Sequence, residues 1–151
     1  MLVYYMFALC FAIEGGYSIP SVGFTDTHSG VIFALAVSRD LGFVDTGLRG
    51  QAGWYQGENE AYGLATYGMR WFFTKNAWRV APILDIGIDY VQRSINGNKE
   101  QSPAMTYGLG IAINIPSERM RVSPVFFYEG ITDIKRHGGF IGMKLGVAYA
   151  F

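Results

Sequence analysis

The sequence predicts an all-β chain, an eight-stranded antiparallel up-and-down transmembrane β-barrel, and three observations lead there. Apolar side chains alternate with small or polar ones at period two almost from end to end. Most of the alternating runs are about 9–13 residues long, enough to cross a bilayer at a tilt and longer than the ~5–6 residues of ordinary strands. Charged residues make up only 16% of the chain and stay off the apolar faces, whereas a typical soluble domain carries roughly 25%.

Taken in order, residues 11–19, 31–37, 44–56 and 61–73 carry the rhythm of the first four strands. In the fifth, Val80, Pro82, Leu84, Ile86, Ile88 and Tyr90 alternate with Arg79, Ala81, Ile83, Asp85, Gly87 and Asp89. In the sixth, Tyr107, Leu109, Ile111, Ile113 and Ile115 alternate with Thr106, Gly108, Gly110, Ala112 and Asn114. Residues 120–130 form the seventh. The eighth has the cleanest pattern, with Ile141, Met143, Leu145, Val147, Tyr149 and Phe151 set against Gly142, Lys144, Gly146, Ala148 and Ala150. Pro82 and Pro124 fall inside strands, where a residue without an N–H is out of place, and a bulge is expected at each.

The connections are read as long loops over 20–29, 57–60, 92–103 and 132–138 and tight turns over 39–42, 74–77 and 116–119, the alternation expected of an outer-membrane barrel. Asn96-Gly97 at the tip of the longest loop carries turn chemistry. With Phe151 on the turn side, both termini are expected in the periplasm. Residues 1–151 form one domain. Residues 1–12 are apolar without a basic start, and they read either as the remnant of a signal peptide or as the beginning of the first strand.

Twelve basic residues balance twelve acidic ones, so no net field draws the chain to nucleic acid. The single cysteine, Cys10, excludes an intrachain disulfide and argues against a thiolate metal cluster. No apolar run reaches the ~18–20 residues of a spanning helix.

On the faces opposite the apolar ones stand Glu14, Asp45, Asp85, Asp89 and Glu129 with Arg49, Arg70, Arg79, Arg121 and Lys144. A soluble ligand-carrying barrel would show the inverse arrangement. A bilayer offers no hydrogen-bond partners and penalises a charge at midplane by roughly 2–4 kcal/mol, so these ten are expected inside, neutralising one another as a lumen ion-pair network. Gly47, Gly68, Gly87, Gly108, Gly110, Gly142 and Gly146 leave room for long side chains there. Tyr62, Trp71, Phe73, Trp78, Tyr90, Tyr107, Tyr128, Tyr149 and Phe151, towards strand ends, are expected in two interfacial girdles.

The segment Glu14-Gly15-Gly16-Tyr17-Ser18-Ile19-Pro20, a short polar loop and then Gly30 opening the second strand resemble the start of outer-membrane β-barrel domains of the opacity and OmpA-like type. Val147, Tyr149 and Phe151 resemble the C-terminal signal read by the barrel-assembly machinery. The resemblance implies residence in the bacterial outer membrane, contact with its lipid and insertion from the periplasm. It implies no single activity, since such domains serve variously as adhesins, evasion factors and structural anchors.

Chemistry is weakly signalled. His28 and His137 fall in expected loops, near Asp26 with Ser29 and near Asp133, and neither stands in a recognisable catalytic motif. Asp85 and Asp89 share a strand face but read as ion-pair partners of arginines rather than as an acid/base couple. Asp26 with Thr25 and Thr27 offers too few oxygens at fixed spacing for calcium. No cofactor is expected. The sequence points to a monomeric, non-enzymatic barrel with a structural or surface-interaction role and a charge-plugged lumen; a small pore and a lipid-modifying barrel enzyme are the alternatives.

Overall fold

The computed structural model describes residues 9–23, 27–57, 62–133 and 137–151, the side chains of Val22 and Tyr62 excepted. The N-terminal segment, Thr25, Asp26, much of the 57–60 connection and the middle of the 132–138 connection therefore lie outside the described residues.

The strands are β1 (Leu9–Val22), β2 (Thr27–Asp40), β3 (Asp45–Gly57), β4 (Tyr62–Thr74), β5 (Val80–Ile95), β6 (Asn98–Ile113, continued after Asn114 by Ile115–Ser117), β7 (Met120–Asp133) and β8 (His137–Ala150). Each pairs antiparallel with the next, and β8 pairs back onto β1, so the sheet closes. The wall is a closed eight-stranded antiparallel barrel. Closure leaves neither an edge nor a row of unpaired backbone groups along the seam, where Phe151 N donates to Leu9 O at 2.9 Å.

Following the rungs once round the wall from Cys10, through Ser38, Gly47, Phe72, Asp85, Gly108, Glu129 and Phe140, returns to β1 at Pro20, ten residues along. With ~3.3 Å per residue and ~4.8 Å between strands, that stagger tilts the strands by roughly 40° and gives a wall radius of about 8 Å. Such an interior is filled by side chains.

Outward positions carry the apolar residues, among them Ile13, Phe33, Leu35, Leu84, Ile111 and Leu145, all exposed. Among the described residues, charges on that face stand only at its two ends, as with Arg39 and Lys99. On the wall Thr46 Oγ1 donates to Phe72 O at 3.1 Å and accepts from Trp71 Nε1 at 2.5 Å.

Several expectations are corrected. Residues 92–103 are not a loop: β5 and β6 stay paired to Ile95↔Asn98, turning through Asn96 and Gly97 at φ 50° and 82°. The Asn-Gly pair supplies two positive φ angles, so the ladder runs to its tip. With the strands this long, the connections are short at both ends of the barrel: Asn96 and Gly97 link β5 to β6, and Glu118 and Arg119 link Ser117 to Met120. His28 and His137 accordingly stand in β2 and β8 rather than in loops.

No register shift occurs at Pro82 or Pro124. Pro124 coincides with the break in β6, where the rungs Ala112↔Val125 and Ile115↔Val122 keep one register across an unpaired step. The missing N–H interrupts the ladder there without bulging it. Pro82 lies beyond the last β4–β5 rung, Phe73↔Leu84, and pairs only with Ile111 of β6.

Candidate functional site: the charged lumen

Alternation carries every second residue inward, and the tilt stacks those residues in layers. In the middle layer Arg49 binds Glu14 and Asp85, each at 3.0 Å, and its guanidinium lies 4.6 Å from the centre of the Phe72 ring. Arg70 pairs with Asp89 at 2.5 Å and with Glu129, and lies 3.9 Å from Asp85. Lys144 sits 3.3 Å from Glu14 and over the Phe127 ring. Gln51 ties the halves together, donating to both Glu129 oxygens at 3.1 and 3.0 Å and accepting from Lys144 at 3.2 Å.

The structure thus brings together Glu14, Arg49, Arg70, Asp85, Asp89, Glu129 and Lys144, four carboxylates around three cations. All seven are buried, Arg70 and Glu129 to 1% exposure. Burial of this kind is tolerated only where each charge is paired and hydrogen-bonded. The neighbouring strands make room: a Cβ on Gly108 would come within 2.4 Å of Asp85 Oδ1, and one on Gly87 within 2.8 Å of Arg70 Cγ.

The other three expected members are elsewhere. Arg79 is exposed in the β4–β5 turn, because the strand starts only at Val80 and alternation has no force beyond its end. Asp45 and Arg121 stand at the mouth on the turn end. There Asp45 Oδ2 accepts the Asn76 backbone N–H, and Arg121 Nε donates to Ser123 Oγ at 3.2 Å.

Asn114, which the sequence reading left unassigned, fastens that mouth. Its Nδ2 donates to Asn76 O at 3.2 Å and Trp78 O at 2.8 Å, its Oδ1 accepts from Ser123 at 2.8 Å, and its backbone N–H donates to Arg79 O at 2.8 Å. The β4–β5 turn is thereby folded into the opening, beside which a cavity of about 290 Å³ lined by Asp45, Asn76, Arg119 and Arg121 among others remains. Between it and the ion layer remains a cavity of only about 40 Å³, lined by Ser38, Arg49, Phe72, Asn114, Ser123 and Val125 among others.

Towards the other end, Tyr55, Leu64, Val91, Ala104, Ile131 and Phe140 form a buried apolar layer above the ion pairs. Tyr55 and Phe140 have ring centres 4.5 Å apart, and Ser18 Oγ donates to Tyr55 OH at 3.0 Å. Nearer the rim a second charged group, Arg93 with Asp133 at 2.6 Å and Ser102 at 3.0 Å from the same Asp133 oxygen, also escaped the sequence reading. Its one sequence signal was the parity of Arg93 with Asp85 and Asp89.

Val147, Tyr149 and Phe151 all face outward at the turn end, with Tyr149 and Phe151 edge to face at 5.0 Å. Aromatic pairs also stand on the outer wall at Tyr67–Tyr90, Trp71–Phe73 and Tyr107–Tyr128. His137 Nδ1 lies 2.6 Å from Thr132 Oγ1, its ring stacked on Tyr107. Among the described residues no group of histidine, cysteine and acidic side chains is arranged to hold a metal ion.

No family model matches the chain, and no curated protein matches its sequence. Solved structures do match. Neisserial surface protein A (NspA) superposes with a TM-score of 0.66 at 12% identity, over 95% of this chain and 97% of that one. The N-terminal β-barrel domain of Pseudomonas aeruginosa OprF gives 0.63 at 14% identity, over 95% and 97%. Ail, the attachment invasion locus protein of Yersinia pestis, gives 0.61 at 18% identity, over 96% and 99%. All three are small outer-membrane barrels of eight strands, and at these identities the likeness is one of fold.

Proposed function

We propose that this barrel is an integral protein of the bacterial outer membrane: monomeric, non-enzymatic and closed to ions, with a structural or surface-interaction role carried by the end opposite the chain termini. The observation that carries the reading is the inverted polarity of the wall. Its outer face is apolar between the two ends, and an ion-pair cluster of seven charged side chains is buried within. In water that arrangement would expose a continuous apolar surface far beyond the few hundred Å² a soluble monomer tolerates. In a bilayer it is the stable one.

The lumen favours a plug over a pore. Ion pairs occupy its middle, an apolar layer covers them on one side, and the folded β4–β5 turn narrows the mouth on the other. The surface role belongs to the β5–β6 hairpin, whose Lys99, Glu100 and Gln101 are exposed. It also draws on the printed descriptions of two structural neighbours, a surface protein and an attachment invasion protein.

The test is membrane fractionation of cells making the protein, with heat-modifiable migration on detergent gels. Recovery as a soluble monomer without detergent sinks the reading. Orientation is read in a Cys10→Ser background: Lys99→Cys is expected to react with an impermeant maleimide on intact cells and Glu118→Cys only after lysis. The opposite pattern reverses the topology.

A further inference from the structure

The outer wall is not uniformly convex. The β4–β5 rungs stop at Phe73↔Leu84 although β5 begins at Val80, because Asn114 and Asp45 draw the intervening turn into the mouth. The first residues of β5 are held by β6 alone. Arg79 O faces β6, where it accepts from Asn114 N, so by antiparallel alternation Val80 and Pro82 turn their backbone groups towards the gap beside β4. Pro82, having no N–H, is suited to that position.

The gap opens outward as an apolar groove of about 470 Å³, lined by Phe43, Phe73, Trp78, Pro82, Leu84 and Leu109, with Lys75 at its turn-end rim. That volume lies in the range of roughly 300–1,000 Å³ typical of small-molecule sites. Phe43, 84% exposed, and Trp78, 57% exposed, flank the entrance. Lys75 Nζ donates to Gly42 O at 2.5 Å and lies 3.6 Å from Asp40. Arg79, in the same turn, is exposed. Lys75 is thus the cation at the rim, with Asp40 beside it.

We propose that this groove is a specific site for one bilayer phospholipid, an acyl chain lying against Phe73, Pro82, Leu84 and Leu109 and the phosphate drawn to Lys75 at the rim. The proposal rests on the membrane reading above. It differs from ordinary lipid contact in that the wall here is concave, has lost its rungs and carries a lysine where a headgroup lies.

The experiment uses Trp78 as reporter. The chain has three tryptophans, so Trp54→Phe with Trp71→Phe leaves Trp78 alone, and Trp71→Phe with Trp78→Phe leaves Trp54 as a wall control. Each is refolded into phosphatidylcholine vesicles containing a small fraction of phosphatidylglycerol with brominated chains. Stronger quenching of Trp78 than of Trp54 is expected, together with one phosphatidylglycerol retained in native mass spectra from detergent. Lys75→Gln weakens that retention about fivefold. Leu84→Phe with Leu109→Phe, which fills the groove, abolishes it while heat-modifiability persists. Inserted protein with equal quenching at both tryptophans, or lipid retention untouched by the filled groove, overturns the site. Failure to insert into vesicles at all overturns the membrane reading, and the site with it.

Discussion

Asp85 lies across Gly108 on the adjacent strand, its Oδ1 within 2.4 Å of the point where a Cβ on residue 108 would sit. The two act as one unit: the glycine is there so that the carboxylate can reach Arg49. Gly108→Ala is expected to destabilise the barrel by about 1–3 kcal/mol through overpacking, and to cost almost nothing in an Asp85→Ala background. A double-mutant cycle of urea unfolding in vesicles measures the coupling. Additive effects would mean that the contact is incidental.

Arg70 faces three carboxylates, and Arg70→Ala leaves them without their shared cation. The expected loss is about 3–5 kcal/mol, as for other broken buried pairs. Arg79→Ala, at an exposed turn, should stay within ~0.5 kcal/mol of the parent. In planar bilayers the parent is expected to show no steady conductance and Arg70→Ala to leak. Stable ohmic currents from the unmodified protein would replace the plug with a pore.

Depth in the bilayer should be legible from arginine scanning of the outer face. Leu35→Arg, between the two ends of the wall, is expected to cost about 2–4 kcal/mol, and Phe43→Arg, in the β2–β3 turn, about 0–1 kcal/mol. Equal costs at the two sites would contradict the placement of the apolar belt.

Phe151 offers a way to separate assembly from stability. Deleting it removes one backbone hydrogen bond at the seam and an edge contact with Tyr149, a small structural loss. Insertion in cells is expected to slow with accumulation of periplasmic aggregate, while refolding of the purified variant into detergent proceeds as for the parent. Unchanged insertion in cells would leave the aromatic terminus with no signalling part.

What the sequence reveals follows the reach of period-two alternation. Where one face meets hydrocarbon and the other the lumen, as along Leu84 to Tyr90, the pattern reports each side chain's direction. Above the apolar belt the outward positions turn polar, with Gln92 and Ser94 in place of apolar residues, and the strand continues unannounced; Arg93 is hidden for that reason. Below the belt the error ran the other way, and Arg79 was given a direction that its turn does not enforce. The apolar layer of Leu64, Val91, Ile131 and Phe140 is silent because inward apolar residues flatten the contrast on which the reading depends. The folded mouth depends on side chains of Asn114 and Asp45 reaching a turn distant in sequence, which no local pattern encodes.

Because Phe151 and Leu9 meet across the closing seam, the strands form a ring, and a ring has no first member. At equilibrium the ladder is indifferent to where the chain is cut. A permutant joined across that seam and opened between Asn96 and Gly97 would keep every rung yet carry Val147, Tyr149 and Phe151 in its middle. Strand order along the chain is then a matter of history alone: it decides which strand is made last, while the folded wall retains no trace of the choice.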